Sequence, residues 1–148
     1  MPQSLADVLV HLVYSTKTRM PVVTPTIREE LNPYVSGVLR NHNCNPIAIG
    51  GVEDHMHVLF ALSRTITIAR LVEKLKTSSN KWANDKWHCG LEWQSGYGAF
   101  SVGRQELNVV KDYIWHQAEH HKTVSFQDEF RKLLTEHEVQ FDERYVWD

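Results

Sequence analysis

Two histidines separated by a single residue stand in the run Glu53-Asp54-His55-Met56-His57-Val58-Leu59-Phe60, and Tyr113 and Gln117 stand four residues apart later in the chain. A strand puts alternate side chains on one face and a helix puts i and i+4 together, so His55 pairs with His57 and Tyr113 with Gln117. Neutral imidazole is a common ligand for divalent metals, and two on one strand face can chelate. A carboxamide can complete such a set, and a phenol can serve as nucleophile. Together the four point to metal-assisted attack by tyrosine on a phosphate. Neither half is specific alone. Nine histidines make one His-x-His triplet unremarkable, and a tyrosine on an amphipathic helix is ordinarily core. Asp112, His116, His120 and His121 crowd the same helix as alternative ligands.

The elements that must position these residues can be read from periodicity. Val8 to Tyr14 (VLVHLVY) is apolar and β-branched, a buried strand. Pro21 and Pro25 end it, and Thr24 or Thr26 caps a helix running to about Asn43, its first turn separated or kinked at Pro33. Ile47 to Gly51 and His55 to Leu62 read as two strands of a hairpin, with Met56, Val58 and Phe60 opposite the histidines. A second helix opens at Ser63 to Thr67 and extends to Lys86, with Ile68, Leu71, Val72 and Leu75 as its apolar face. Glu92 to Val102 contains a strand interrupted by Gly96 and Gly98, followed by a helix from Gln105 to about His121 and a last one from Ser125 to His137. The order β-α-β-β-α-β plus two helices predicts an α+β, ferredoxin-like split β-α-β fold: an antiparallel sheet with helices packed on one face, and a carboxy-terminal helix besides.

The chain has 148 residues and ordinary globular composition, which predicts one domain over 1–148, with a core at about 8–121 and an extension at 122–148. No apolar run approaches the length of a membrane span and no signal-like amino terminus is present, so a cytoplasmic location is expected. Cys44 and Cys89 form no zinc-type pattern. Net charge is −2, but it is unevenly distributed. Arg64, Arg70, Lys74, Lys76, Lys81 and Lys86 face only Glu73 and Asp85, whereas the segment from Ser125 onward is acidic. Such a basic stretch can contact phosphates, or it can be a solvated helix face. Arg104, just before the tyrosine helix, is a further candidate for a phosphate contact.

His-hydrophobic-His on a strand followed by Tyr-x-x-x-Gln on a later helix resembles the single-tyrosine HUH transposases of the insertion-sequence 200/605 (IS200-like) family. The amino-terminal HLVYSTK, the segment W-x-S-G-Y-x-A-F-S-V-G (Trp93 to Gly103) and the helix YIWHQ agree with it. The resemblance extends from about Val8 to His121. It implies a DNA transposase that cleaves and rejoins single-stranded DNA, with Tyr113 as nucleophile forming a 5′-phosphotyrosine. His55, His57 and Gln117 would bind the divalent metal, magnesium or manganese. Arg70, Lys74, Lys81 and Arg104 would contact DNA. The family recognises hairpins near element ends and works as a homodimer in which one subunit's tyrosine helix can serve the other's histidines. Where relatives often carry a proline before the histidines, this chain has Glu53 and Asp54, either extra ligands or turn formers.

Other readings stay open at this point. Gly96-Tyr97-Gly98-Ala99-Phe100 faintly matches the aromatic strand of non-catalytic single-stranded nucleic-acid binders on similar sheets. A metal-dependent hydrolase would use the same residues with a metal-bound water as nucleophile and a structural Tyr113. A domesticated transposase would keep the chemistry without moving an element.

Overall fold

The computed structural model describes residues 2–148. Four strands, β1 (Leu9–Ser15), β2 (Asn45–Val52), β3 (His55–Ala61) and β4 (Gly98–Val102), form one antiparallel sheet in the order β2-β3-β1-β4. Helix α1 (Pro25–Asn41) joins β1 to β2, and α2 (Ile68–Trp87) joins β3 to β4. This is the expected split β-α-β arrangement, with β3 and β1 at its centre. Val10, Leu12 and Tyr14 of β1 and Met56, Val58 and Phe60 of β3 share the main apolar core with Leu31, Val35 and Leu39 of α1 and Leu71, Val72 and Leu75 of α2.

The helix signals were largely local. Thr24 caps α1 by accepting from the Ile27 N–H, with Pro25 at the first helical position, and Thr67 caps α2 by accepting from the Arg70 N–H. Pro33 neither ends nor separates a first turn: α1 runs unbroken through it. Pro33 and Glu29, whose carbonyl loses its partner, both lie on the exposed side, where water can satisfy that oxygen.

The later helices cover the opposite face of the sheet. A 3₁₀ turn (Arg104–Glu106) leads into α3 (Leu107–Trp115), then a break, α4 (Gln117–His120) and α5 (Phe126–Glu136). Ile114 of α3 packs with Leu9, Ala48, Leu59 and Val102, and Phe126, Phe130 and Leu134 of α5 pack with Val13 and Phe100. Two glycines permit this close approach. A Cβ on Gly50 would lie 2.3 Å from the Ile114 carbonyl oxygen, and one on Gly98 would lie 2.5 Å from the Phe130 ring. The carboxy-terminal segment is therefore a layer of the structure, docked on the sheet.

Candidate active site

Alternation along β1 and β3 decides which side chains reach the second face. His55 and His57 point there with Leu59, and His11 of β1 lies beside them. Both histidines of the triplet are fully buried, under α3, α4 and α5, between the two smaller apolar clusters. His57 Nδ1 lies 2.7 Å from His11 Nε2, and His57 Nε2 lies 2.9 Å from Glu129 Oε1 of α5. His55 Nδ1 lies 2.7 Å from Asp54 Oδ1, while His55 Nε2 lies 3.2 Å from Gln117 Oε1 and 3.3 Å from Glu129 Oε1.

Tyr113 and Gln117 come to the same place. The helix expected from Gln105 to His121 is interrupted at His116, where the backbone leaves helical values (φ −104°, ψ 25°). Gln117 is buried just beyond the break, and its Nε2 still donates to the Tyr113 carbonyl at 3.2 Å. The Tyr113 ring stands edge-on to His57, 5.6 Å between centroids, and its hydroxyl donates to Glu129 Oε2. His121 Nε2 approaches the same carboxylate oxygen at 3.1 Å and Gln117 Oε1 at 2.9 Å. His120 Nε2 lies 3.2 Å from Glu129 Oε2 without hydrogen-bond geometry.

Electrostatically, Glu129 is the hub. Burial works against its charge, but hydrogen bonds from His121, His55 and His57 outweigh that and hold its pKa far below the usual carboxylate range. Burial also opposes charge on His55, yet hydrogen bonding to Asp54 and Glu129 prevails and raises it to about 9. For His57 burial prevails and lowers it to about 4. Burial and the adjacent Glu129 charge push the Tyr113 phenol upward. A groove of about 380 Å³ between α3, β4 and α5 opens onto Tyr113, with Phe100, Val110 and Leu133 in its wall.

The donor set fits a divalent ion. One ligand atom each from His55, His57, His121 and Glu129 lie within 4.8 Å of one another, and the amide oxygen of Gln117 is in hydrogen-bond range of two of these imidazoles. Imidazole, carboxylate and amide oxygen are a mixed N/O set suited to first-row divalent metals.

The sequence model described as "Transposase IS200 like" matches residues 4–117. The chain belongs to the IS200-like transposase family. Among solved structures, a candidate transposase from Deinococcus radiodurans R1 superimposes with a TM-score of 0.63 at 20% identity, covering 79% of this chain and 98% of that one. A REP-associated tyrosine transposase bound to a REP hairpin superimposes with a TM-score of 0.61 at 14% identity, covering 84% of this chain and 74% of the other. At these identities the likeness establishes the shared fold. No curated protein matches the sequence.

In this transposase the expected basic residues do not join the cluster. Arg70, Lys74 and Lys81 lie on α2, across the sheet from the histidines, with Arg70 3.8 Å from Glu73 and Lys81 2.7 Å from Asp85. Exposed Arg104 is held bidentately by Asp7. Of the two acidic residues before the triplet, Asp54 binds the outer nitrogen of His55. Sequence reasoning passed over His11 and Glu129. Both carried a signal: His11 is a polar residue inside an apolar strand, and Glu129 falls on the Phe126, Phe130, Leu133 stripe of an amphipathic helix. The structure describes no helix long and apolar enough to cross a membrane among residues 2–148.

Proposed function

We propose that this transposase cleaves and rejoins single-stranded DNA through Tyr113, with His55, His57 and Gln117 holding a divalent magnesium or manganese ion. The observation that carries the reading is the convergence of the Tyr113 hydroxyl and both triplet imidazoles on the buried Glu129 carboxylate, with the Gln117 amide oxygen on His55 beside it. A bound divalent ion supplies Lewis-acid polarisation of a non-bridging phosphate oxygen. Tyr113 Oη forms its bond to phosphorus as the P–O3′ bond breaks, giving a 5′-phosphotyrosine and a 3′ oxygen that takes up a proton. The phenolic proton is already directed at Glu129 Oε2. The reverse attack by a 3′-hydroxyl releases Tyr113 and rejoins the strand, so no external energy source is needed.

The substrate is a single strand folded into a hairpin, by analogy with the REP hairpin held by the structural neighbour. Arg70, Lys74, Lys81 and Arg104 are the proposed DNA contacts; their distance from the histidines suits a duplex stem better than the scissile phosphate. The whole chain acts as one domain, in the cytoplasm, as a homodimer. In that dimer the active sites are shared, one subunit's tyrosine helix serving the histidines of the other, as the family resemblance implies.

The test is incubation with single-stranded DNA from the gene's own flanks, with magnesium or manganese, followed by a denaturing gel. An adduct that survives SDS and vanishes in Tyr113→Phe is expected. Free cleavage products without an adduct would assign the chemistry to metal-dependent hydrolysis, and binding without cleavage would leave a nucleic-acid-binding module.

A further inference from the structure

We propose that Glu129 and His121, both beyond the family-matched residues 4–117, are direct ligands of the divalent metal, so that the carboxy-terminal segment is an integral part of the metal centre. The inference rests on the metal-assisted reading above and adds two ligands to the three that it names.

Hydrogen accounting carries the argument. His121 Nδ1 lies 2.6 Å from the Val124 carbonyl oxygen, which only accepts, so Nδ1 carries a proton and, in the neutral ring, Nε2 presents a lone pair. That lone pair faces two further acceptors, Gln117 Oε1 and Glu129 Oε2. Gln117 cannot be reversed to relieve this without losing the bond from its Nε2 to the Tyr113 carbonyl. His55 repeats the pattern. Its Nδ1 donates to Asp54, and its Nε2 faces Gln117 Oε1 and Glu129 Oε1. His57 can donate from Nδ1 to His11 Nε2, leaving its own Nε2 bare toward Glu129. Each imidazole thus has an outer acceptor and an inward nitrogen, the arrangement in which a second shell fixes the tautomer of metal-ligating histidines.

Lone pairs from three imidazoles, one amide and one carboxylate therefore converge with too few protons among them. Two states satisfy them: His55 and His121 doubly protonated around Glu129, with a neutral His57 accepting from His11 and donating to Glu129, or a cation at the centre. The first makes Glu129 a salt-bridge hub only, whereas the second makes it a ligand whose charge offsets that of the ion. Carboxylates are good ligands for magnesium and manganese, which take several oxygen donors.

The experiment is Mn²⁺ titration of the full chain without DNA, read as loss of the free-Mn²⁺ electron paramagnetic resonance signal, with melting curves to confirm folding. Wild type is expected to bind one Mn²⁺ per chain. Glu129→Gln, His121→Ala and His55→Ala should each weaken binding about tenfold or more. If Glu129→Gln fails to fold, Glu129→Asp, which withdraws the carboxylate by one methylene, is held to the same criterion. Folded Glu129 and His121 variants with the wild-type dissociation constant, beside a His55→Ala that has lost binding, would overturn the proposal and leave the underlying reading standing. A wild-type chain that binds no Mn²⁺ would sink both.

Discussion

The two faces of the sheet are made by the same strands, and they differ in almost every other respect. In β3, Met56, Val58 and Phe60 enter a continuous apolar core beneath α1 and α2, whereas His55 and His57 enter a polar pocket between two separate apolar clusters. The covering helices differ too. On the first face α1 and α2 are long, capped and continuous; on the second, α3 and α4 are short and broken at His116. A period of two lets one strand anchor the fold with one set of side chains and hold chemistry with the other. The lesson is that the dry face fixes the positions of the histidines, so the polar face need not contribute comparable stability.

The sharpest way to break this comparison is to cut each face at adjacent residues. Met56, fully buried between the two histidines in sequence, points the other way. Met56→Ala should cost about 2–5 kcal/mol in chemical denaturation, the range for emptying a core methionine site. A saturating divalent ion should act only on the opposite face. At about a hundredfold excess over its dissociation constant, Mn²⁺ should stabilise wild type by about 2.7 kcal/mol, reversed by a chelator. Met56→Ala should keep that increment if it remains folded. His57→Ala should lose it, together with the DNA adduct, while costing the metal-free protein about 1–3 kcal/mol for the polar partners left unpaired. A His57→Ala variant that is more unstable than Met56→Ala without metal would show that the polar face carries the fold.

What could be read from the sequence follows the same division. The dry face was legible because its information is local. Alternation in VLVHLVY and HMHVLF, the Thr24 and Thr67 caps, and the apolar stripe of α2 each declare an element within a few residues. Half of the polar face was legible for the same reason: His55 with His57 and Tyr113 with Gln117 are short-range pairs. The rest depends on contacts between distant segments. Nothing near Glu129 states that α5 folds back over β4 and β1, so its carboxylate could be read as surface charge in an acidic tail. The partnership of His11 with His57 needs strand pairing across 46 positions of sequence. The break at His116 escaped detection because Tyr113 to His121 contains no Gly or Pro. The basic residues of α2 show the limit from the other side: their charge pattern was clear locally, but their placement across the sheet from the histidines was not.

The finest test compares two helix caps, one on each face. Thr67 accepts a hydrogen bond from the Arg70 N–H at 3.1 Å, and Ser125 accepts one from the Asp128 N–H at 3.1 Å. Each cap replaced by alanine should lower stability by about 1 kcal/mol, because each frees one amide of a first helical turn. Their effects on Mn²⁺ affinity should differ. Glu129 is the next residue after Asp128, so fraying at the start of α5 withdraws its carboxylate from His55 and His57 for a fraction of the time. Apparent affinity falls in proportion to the competent fraction, and a two- to threefold rise in the Mn²⁺ dissociation constant, to order of magnitude, is expected for Ser125→Ala. Thr67→Ala should leave it unchanged, since α2 touches only the dry face. Equal metal affinities in the two cap variants, at equal stability loss, would mean that α5 covers the site without taking part in it.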